Sequence, residues 1–226
     1  MLTVKAAKLV GVVVKGNKKI LGSTFSTNPN RCNVGQKLIK VVGSTCNKCY
    51  AVKLSKVYPS ALASWENNLN LWLSALQNDP MSWIESMVYQ IGKISANKAK
   101  KGELGANLHR WFAAGDIPSL DGLRSIIEVC KLTPEINHWL PTREKGLINS
   151  YLAANPQGFP TNLNVRLSAA MIDGPPLNTA VSTSTVHTKG AKVYGVACPA
   201  IENHGNCGTC VQCWASSVKN ISYQKH

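Results

Sequence analysis

Apolar positions recur along this chain with two different periods, and each change of period marks an element. Trp65, Leu69, Trp72 and Leu76 fall at i, i+4, i+7 and i+11, the spacing of one helical face. Trp83, Met87, Ile91 and Ile94 repeat that period beyond Asp79-Pro80, where Asp is placed as an N-cap and Pro opens a first turn. Both stripes read as core packing, and Lys98, Lys100, Lys101 and Gly102 end the second helix. Upstream, Val10 to Val14 is β-branched apart from Gly11, and Gly16-Asn17 is a hairpin turn signal. The first thirty residues therefore predict strands and turns, with a loop from Ser26 to Asn30.

Beyond residue 105 the pattern alternates. Leu108 to Ala113, Ile136 to Leu140, Leu163 to Ser168 and Val193 to Ala197 read as strands. Leu120 to Leu132, with Ser119 as N-cap, and Lys145 to Ala154 read as helices. A stretch rich in Ser, Thr and Pro from Gly174 to Lys189 reads as loop. Strand–helix alternation predicts an α/β domain spanning residues 1–226, with a mainly parallel sheet. In such folds functional groups gather at the carboxyl ends of strands. Gly115-Asp116, Thr142-Arg143-Glu144, Ser168 and Cys198-Pro199 all occupy such ends. Asp116, Arg143 and Ser168 are thus expected to converge, with Arg143 neutralising an anion and Asp116 orienting Arg143 or a ligand. Taken singly, Asp116 reads equally as a helix cap and Arg143 as a surface partner of an acid such as Glu144.

Charge changes the picture in one respect. The formal net charge is +14, and no Asp or Glu precedes Glu66. That acid-free segment, with Lys15, Lys18 and Lys19 among its basic residues, is expected to attract nucleic acid or another polyanion. The competing reading is a solvated, solubilising face. No stretch approaches the roughly 20 apolar residues of a membrane helix. No signal peptide is read at the N-terminus, so a cytoplasmic setting is expected, in which clustered thiols stay reduced.

The cysteines then carry the chemistry. Cys198-Pro199 is followed by Cys207-x-x-Cys210-x-x-Cys213-Trp214. A two-residue gap lets a tight turn aim both thiolates at one centre, and three in series can wrap one face of an iron–sulphur cube that a fourth closes. Residues 198–214 are read as a metal loop on that ground, with Cys198, Cys207, Cys210 and Cys213 holding a four-iron cluster. A second group, Cys32 with Cys46-x-x-Cys49-Tyr50, is weaker because the first gap is long. Three thiolates can hold a cube with one iron open to a ligand, which would make a second cluster. A single site sharing ligands from both groups is another arrangement, and a zinc site built from paired-cysteine knuckles is a third. Cys130 lies on a predicted apolar helix face and reads as a buried free thiol. None of the histidines has zinc-ligand spacing; His204, inside the loop, reads as a supporting or exposed residue.

These pieces together resemble the gene product eighty-eight family of tailed phages and plasmids. The matching residues are Cys46-Asn-Lys-Cys49-Tyr50-Ala51, Ala114-Gly115-Asp116, Thr142-Arg143, Arg166-Leu167-Ser168, and Cys198-Pro199 with the Cys207–Trp214 run. The resemblance implies a phage-encoded protein of the infected host's cytoplasm, with an iron–sulphur cluster and a partial or distorted (β/α) barrel-like core. That core is similar to the radical-SAM barrel. Two departures stand out. The radical-SAM triplet is C-x3-C-x2-C, whereas Cys32 lies fourteen positions before Cys46. The family's Ser before Gly-Asp, and its His two residues earlier, are here Ala114 and Phe112.

Three functions follow from these readings. The first is a redox or radical-type enzyme with its cluster near the barrel mouth. The second is a basic nucleic-acid-binding or regulatory protein with a structural or sensing metal site. The third is a virion structural component.

Overall fold

The computed structural model describes residue 3, residues 6–7 and residues 10–225. Its centre is one eight-stranded sheet in the order β1-β2-β3-β4-β5-β6-β8-β7. The strands are β1 (Val14–Lys15), β2 (Ser23–Phe25), β3 (Leu108–Trp111), β4 (Asn137–Thr142), β5 (Leu163–Ile172), β6 (Ser182–His187), β7 (Val196–Ala197) and β8 (Asn220–Gln224). Only β1 runs antiparallel; all other pairings are parallel. The sheet is open, with β1 and β7 as its edges, so it does not close into a barrel. The hairpin turn forms at Gly16–Gly22, where Gly16 N–H donates to the Gly22 carbonyl and Asn17 to that of Ile20.

The helices are α1 (Asn33–Leu38), α2 (Tyr50–Val57), α3 (Pro59–Asn78), α4 (Pro80–Lys100), α5 (Leu120–Leu132) and α6 (Lys145–Ala154). The junction of α3 and α4 follows the sequence: the Asp79 side chain accepts from Ser82 N–H, and Pro80 opens the helix. Ser119 caps α5 in the same way through Gly122 N–H. The long helices bury one face against the sheet. Trp72 and Trp83 stack at 4.9 Å, and Phe25 meets both edge-on. Such pairs contribute about 0.5–1.5 kcal/mol beyond the area they bury. Among the described residues, no helix is long and apolar enough to cross a membrane.

Strand alternation separates two faces. Trp111, Leu140, Val165 and Leu167 join the helix-covered core. Leu108 and Trp139 face the other way and form a smaller cluster with Leu21 and Trp214. Among the described residues, no α-helix covers that second cluster. The C-terminal loop covers it instead: Trp214 Nε1 donates to the His109 carbonyl, and Asn164 Nδ2 to that of Cys213.

Two strands depart from the sequence pattern. Residues 174–189, read as loop, contain β6, and β8 lies where the pattern assigns no element. Both are zipped by hydroxyls and amides, and β8 also buries Ile221 and packs Tyr223 on the smaller cluster. Thr183 bonds Asn220, Thr185 bonds Ser222, and His187 bonds Ser222. Helices α1 and α2 likewise carry little apolar surface into the core.

Candidate functional site

The first cysteine group assembles where the central strands end. After β2 the chain crosses beneath the β3 terminus, with Thr27 N–H donating to the Ala114 carbonyl at 2.9 Å. Gly115 is required there on two counts. Its φ is +88°, and a Cβ at that position would lie 2.0 Å from Thr27 Oγ1. Cys32 sits just before α1 and Cys49 just before α2. Cys49 N–H donates to the Cys46 carbonyl at 3.1 Å, forming the turn expected of a two-residue gap. A Cβ on Gly35 would lie 3.7 Å from Cys32 Sγ and 3.9 Å from Cys46 Sγ, so the two sulphurs are at most the sum of those distances apart.

A polar network anchors this group to the strand ends. Asp116 accepts from Thr142 Oγ1 (2.5 Å), Ile117 N–H (2.8 Å) and Arg143 N–H (2.9 Å). The Arg143 guanidinium donates to Thr45 Oγ1 through Nε at 3.1 Å and Nη2 at 2.7 Å, reaching the residue beside Cys46. Glu144 accepts from Val34 N–H at 3.0 Å and so fixes the start of α1. Burial raises Asp116 from its ordinary value despite its three donors, and burial raises Glu144 as well. Burial also pushes the Cys32 thiol up, with the Asp116 charge adding to it; at Cys46 burial dominates and the Arg143 cation opposes it.

The second group lies on the helix-free face. Cys198 N–H donates to the Ser222 carbonyl at 2.9 Å, extending the β7–β8 pairing. Cys207 N–H donates to the Lys18 carbonyl at 3.1 Å and Cys207 Sγ to that of Lys19 at 3.2 Å, tying the loop to the β1–β2 turn. Cys210 N–H donates to the Cys207 carbonyl at 3.0 Å, the same turn seen at Cys46–Cys49. Cys213 Sγ lies 3.3 Å from Tyr223 Oη. Burial pushes Cys213 up to about 11. Burial raises Cys207, with Cys198 and Cys210 adding to the effect, and burial raises Cys198, with Cys210 adding. Cys198, Cys207 and Cys210 thus lie in one another's neighbourhood, and Cys213 lies near Cys198.

Two arginines face this loop: Arg166, which the sequence marks only within the Arg166-Leu167-Ser168 piece, and Arg110, which it does not mark. Arg166 is fully buried, and its amino groups donate to the carbonyls of Thr183, Val218, Gln212 and Ala215. Arg110 lies over the Trp139 ring, 4.5 Å from its centroid. Both Nε atoms are buried without an acceptor. Their charges act on Cys213 and Tyr223, and that of Arg110 on Cys207 too. A signal was present: each is the one Lys, Arg, Asp or Glu in its strand.

Of the predicted strand-end residues, Asp116 and Arg143 meet beside the first cysteine group. The Ser168 hydroxyl instead pairs with Ser184 at 3.1 Å. Cys130 is fully buried in the helix-covered core. All eight cysteines are free thiols. A groove of about 380 Å³ between β1 and α4, lined by Val12, Val13, Tyr89 and Ile94, involves no cysteine.

The sequence profile of the family described as Gene product 88 matches residues 5–216, and so takes in both cysteine groups. The chain belongs to the Gene product 88 family. No curated protein and no solved structure matches it.

The donor chemistry of both groups suits a thiolate-bound metal. Such a ligand must be deprotonated, a coordinating metal achieves this outright, and buried thiols with raised pKa are inert as nucleophiles. A single zinc ion would need its donors about 2.0–2.3 Å from one point. Among the described residues, no group of three or more His, Cys, Asp or Glu side chains is arranged to hold a metal ion. A four-iron cube spaces its thiolates around a body much larger than an ion. The buried, unpaired Nε atoms of Arg110 and Arg166 supply the positive surroundings that an anionic centre requires. The second group therefore fits a cluster by donor type and by counter-charge.

Proposed function

We propose that this chain is an iron–sulphur protein with two thiol-held centres. Cys198, Cys207, Cys210 and Cys213 would hold a closed four-iron cluster on the helix-free face. Cys32, Cys46 and Cys49 would hold a second cluster with one open position at the strand ends. The observation carrying this reading is the sorting of the seven motif cysteines into a set of three at the strand ends and a set of four in the loop over the opposite face, with the same turn at Cys46–Cys49 and Cys207–Cys210. A bound cluster supplies one-electron transfer and, at an open iron, a place for a small ligand.

The surrounding residues divide the remaining work. Arg143, held by Thr45 and Asp116, presents a fixed cation to an anionic ligand at the open position. Asp116 fixes the backbone that carries Arg143, and Glu144 anchors the helix that follows Cys32. Strand ends gathered around such a site make the open sheet serve as a partial barrel, and the reaction class this supports is redox or radical chemistry at the mouth. Protein expressed and purified without oxygen should contain iron and acid-labile sulphide in comparable amounts. Colourless protein with stoichiometric zinc and no sulphide would overturn the proposal.

A second reading has one observation in its favour. Lys37, Lys40, Lys48, Lys53 and Lys56 are all exposed around the first cysteine group. Tyr50 and Tyr58 are 59% and 55% exposed between them. Lysines interleaved with accessible rings suit single-stranded nucleic acid, which binds by phosphate contacts and base stacking. Titration with labelled single-stranded DNA and RNA at 50 and 200 mM salt tests it. For about six neutralised phosphates, affinity should fall on the order of a thousandfold. Absence of binding at the lower salt would reduce the lysines to a solubility feature.

A further inference from the structure

The four-thiol group stands against two positive charges for which the protein supplies no counterion. Among the described residues, the ion pairs join Lys15 and Lys98 to Glu103, Arg31 to Glu66, Arg124 to Asp121 and Lys131 to Glu128. Neither Arg110 nor Arg166 takes part, although the chain has eleven acidic residues to offer. Arg166 is fully buried, and every acceptor of its guanidinium is a neutral carbonyl. Arg110 is stacked on Trp139. Burying an unpaired cation costs several kcal/mol, so such groups are normally paired or neutralised.

Facing them are Cys207, Cys213 and the Tyr223 hydroxyl. Four thiolates around a four-iron cube, or around a single divalent ion, form a dianion. Two guanidiniums balance a dianion, and the low-dielectric setting makes the attraction strong. Tyr223 Oη, 3.3 Å from Cys213 Sγ, can donate a hydrogen bond to the same sulphur.

We propose that Arg110 and Arg166 are a built counter-charge for a dianionic four-thiolate centre, raising both its reduction potential and its hold on metal. This rests on the iron–sulphur reading for the potential, but not for the metal affinity. Reduction adds one electron from the titrant and turns the dianion into a trianion, which two fixed cations stabilise further. Net charge, hydrogen bonds to sulphur and exposure are the factors by which proteins set such potentials.

Arg110 is the residue to change, because Arg166 also braces the loop. In a background with Cys32, Cys46 and Cys49 replaced by Ser, Arg110→Met should leave iron and sulphide per chain unchanged. Dithionite titration followed by electron paramagnetic resonance should show a lower midpoint, by about tenfold in the oxidised-to-reduced ratio, or ~59 mV for one electron. Arg110→Lys should retain most of the wild-type value, which a purely structural role would not predict. Should Arg110→Met fail to fold, Arg110→Gln makes the same comparison. In parallel, cobalt(II) titration of the metal-free proteins should give a dissociation constant about tenfold weaker for Arg110→Met and nearly unchanged for Arg110→Lys. If purified protein holds no iron, the iron–sulphur reading fails and the cobalt titration alone decides the counter-charge. Equal midpoints, or equal cobalt affinities, in Arg110→Met and the parent would overturn it.

Discussion

The two cysteine groups differ less in their donors than in the charges placed around them. The three thiols at the strand ends lie beside the buried Asp116 and the Arg143 it positions, within a surface that carries Lys37, Lys40, Lys48, Lys53 and Lys56. The four thiols on the opposite face meet Arg110, Arg166 and Tyr223. The first setting mixes acid and cations and is tied to loops at the strand ends. The second has two strand arginines that pair with no acid among the described residues, and is sealed by Trp214. A mixed setting with only three donors suits a centre that takes an outside ligand. A cationic setting with four donors suits a closed centre whose charge the protein has already balanced. Similar cysteine spacing can thus serve different purposes, and the surrounding charge tells them apart.

The comparison can be broken most forcefully at Arg166. Replacing it with Met leaves the carbonyls of Thr183, Gln212, Ala215 and Val218 without their donor. A loss of about 3–5 kcal/mol is expected, in line with removing one partner from a buried charged network. Denaturant unfolding should register it, and the four-thiol centre should lose metal while the three-thiol centre keeps its share until global unfolding. Equal loss from both would mean that the groups form one site.

The mirror-image change is Gly115→Ala. A positive φ costs a non-glycine residue roughly 1–2 kcal/mol, and the added Cβ would press on Thr27. The strand-end network should loosen, lowering stability by about 2–3 kcal/mol and iron at Cys32, Cys46 and Cys49 first. Unchanged melting would show that the strand-end loop adapts without strain.

A pH-dependent effect acts on neither group and so serves as the baseline. His109 and His138 are buried in the sheet, where burial pushes His138 down to about 3 and His109 well below its ordinary value. The unfolded chain takes up a proton on each as pH falls below 6.5, while the folded chain does not. Their contribution is fully present above that pH and is lost on descending toward the folded values. The slope is about 1.4 kcal/mol per pH unit for each histidine. Removing His138 as Gln should reduce the slope by one proton between pH 6.5 and about 3, as measured by denaturant midpoints in metal-free protein. Metal release at higher pH than this baseline unfolding belongs to the thiols.

Much of the scaffold could be read from the chain. The bounds of α5 and α6, and the Asp79-Pro80 junction, follow from apolar period and capping chemistry alone. Strand β6 could not be read, because its Ser and Thr side chains bond across the ladder and leave no apolar alternation, and in β8 the two alternating apolar positions, Ile221 and Tyr223, are too few to declare a strand. The four-thiol loop was visible through its regular spacing. The adjacency of Cys32 to Cys46 was only a weak signal, since fourteen positions of chain do not fix a distance. Arg110 has no motif to mark it and Arg166 is marked only within a short strand-end piece, because the meaning of each comes from the loop laid over it. Ser168 ends a predicted strand, yet β5 continues to Ile172, which leaves its hydroxyl within the sheet beside Ser184.

The most direct test of the account is the division of iron between the two groups. Wild type, Cys46→Ser with Cys49→Ser, and Cys207→Ser with Cys210→Ser should be purified without oxygen and assayed for iron and acid-labile sulphide. Two independent centres predict that each double variant loses one share and keeps the other, with the electron paramagnetic resonance signals of the two variants summing to that of wild type. Complete loss of iron in both variants, or no iron in wild type, would contradict it.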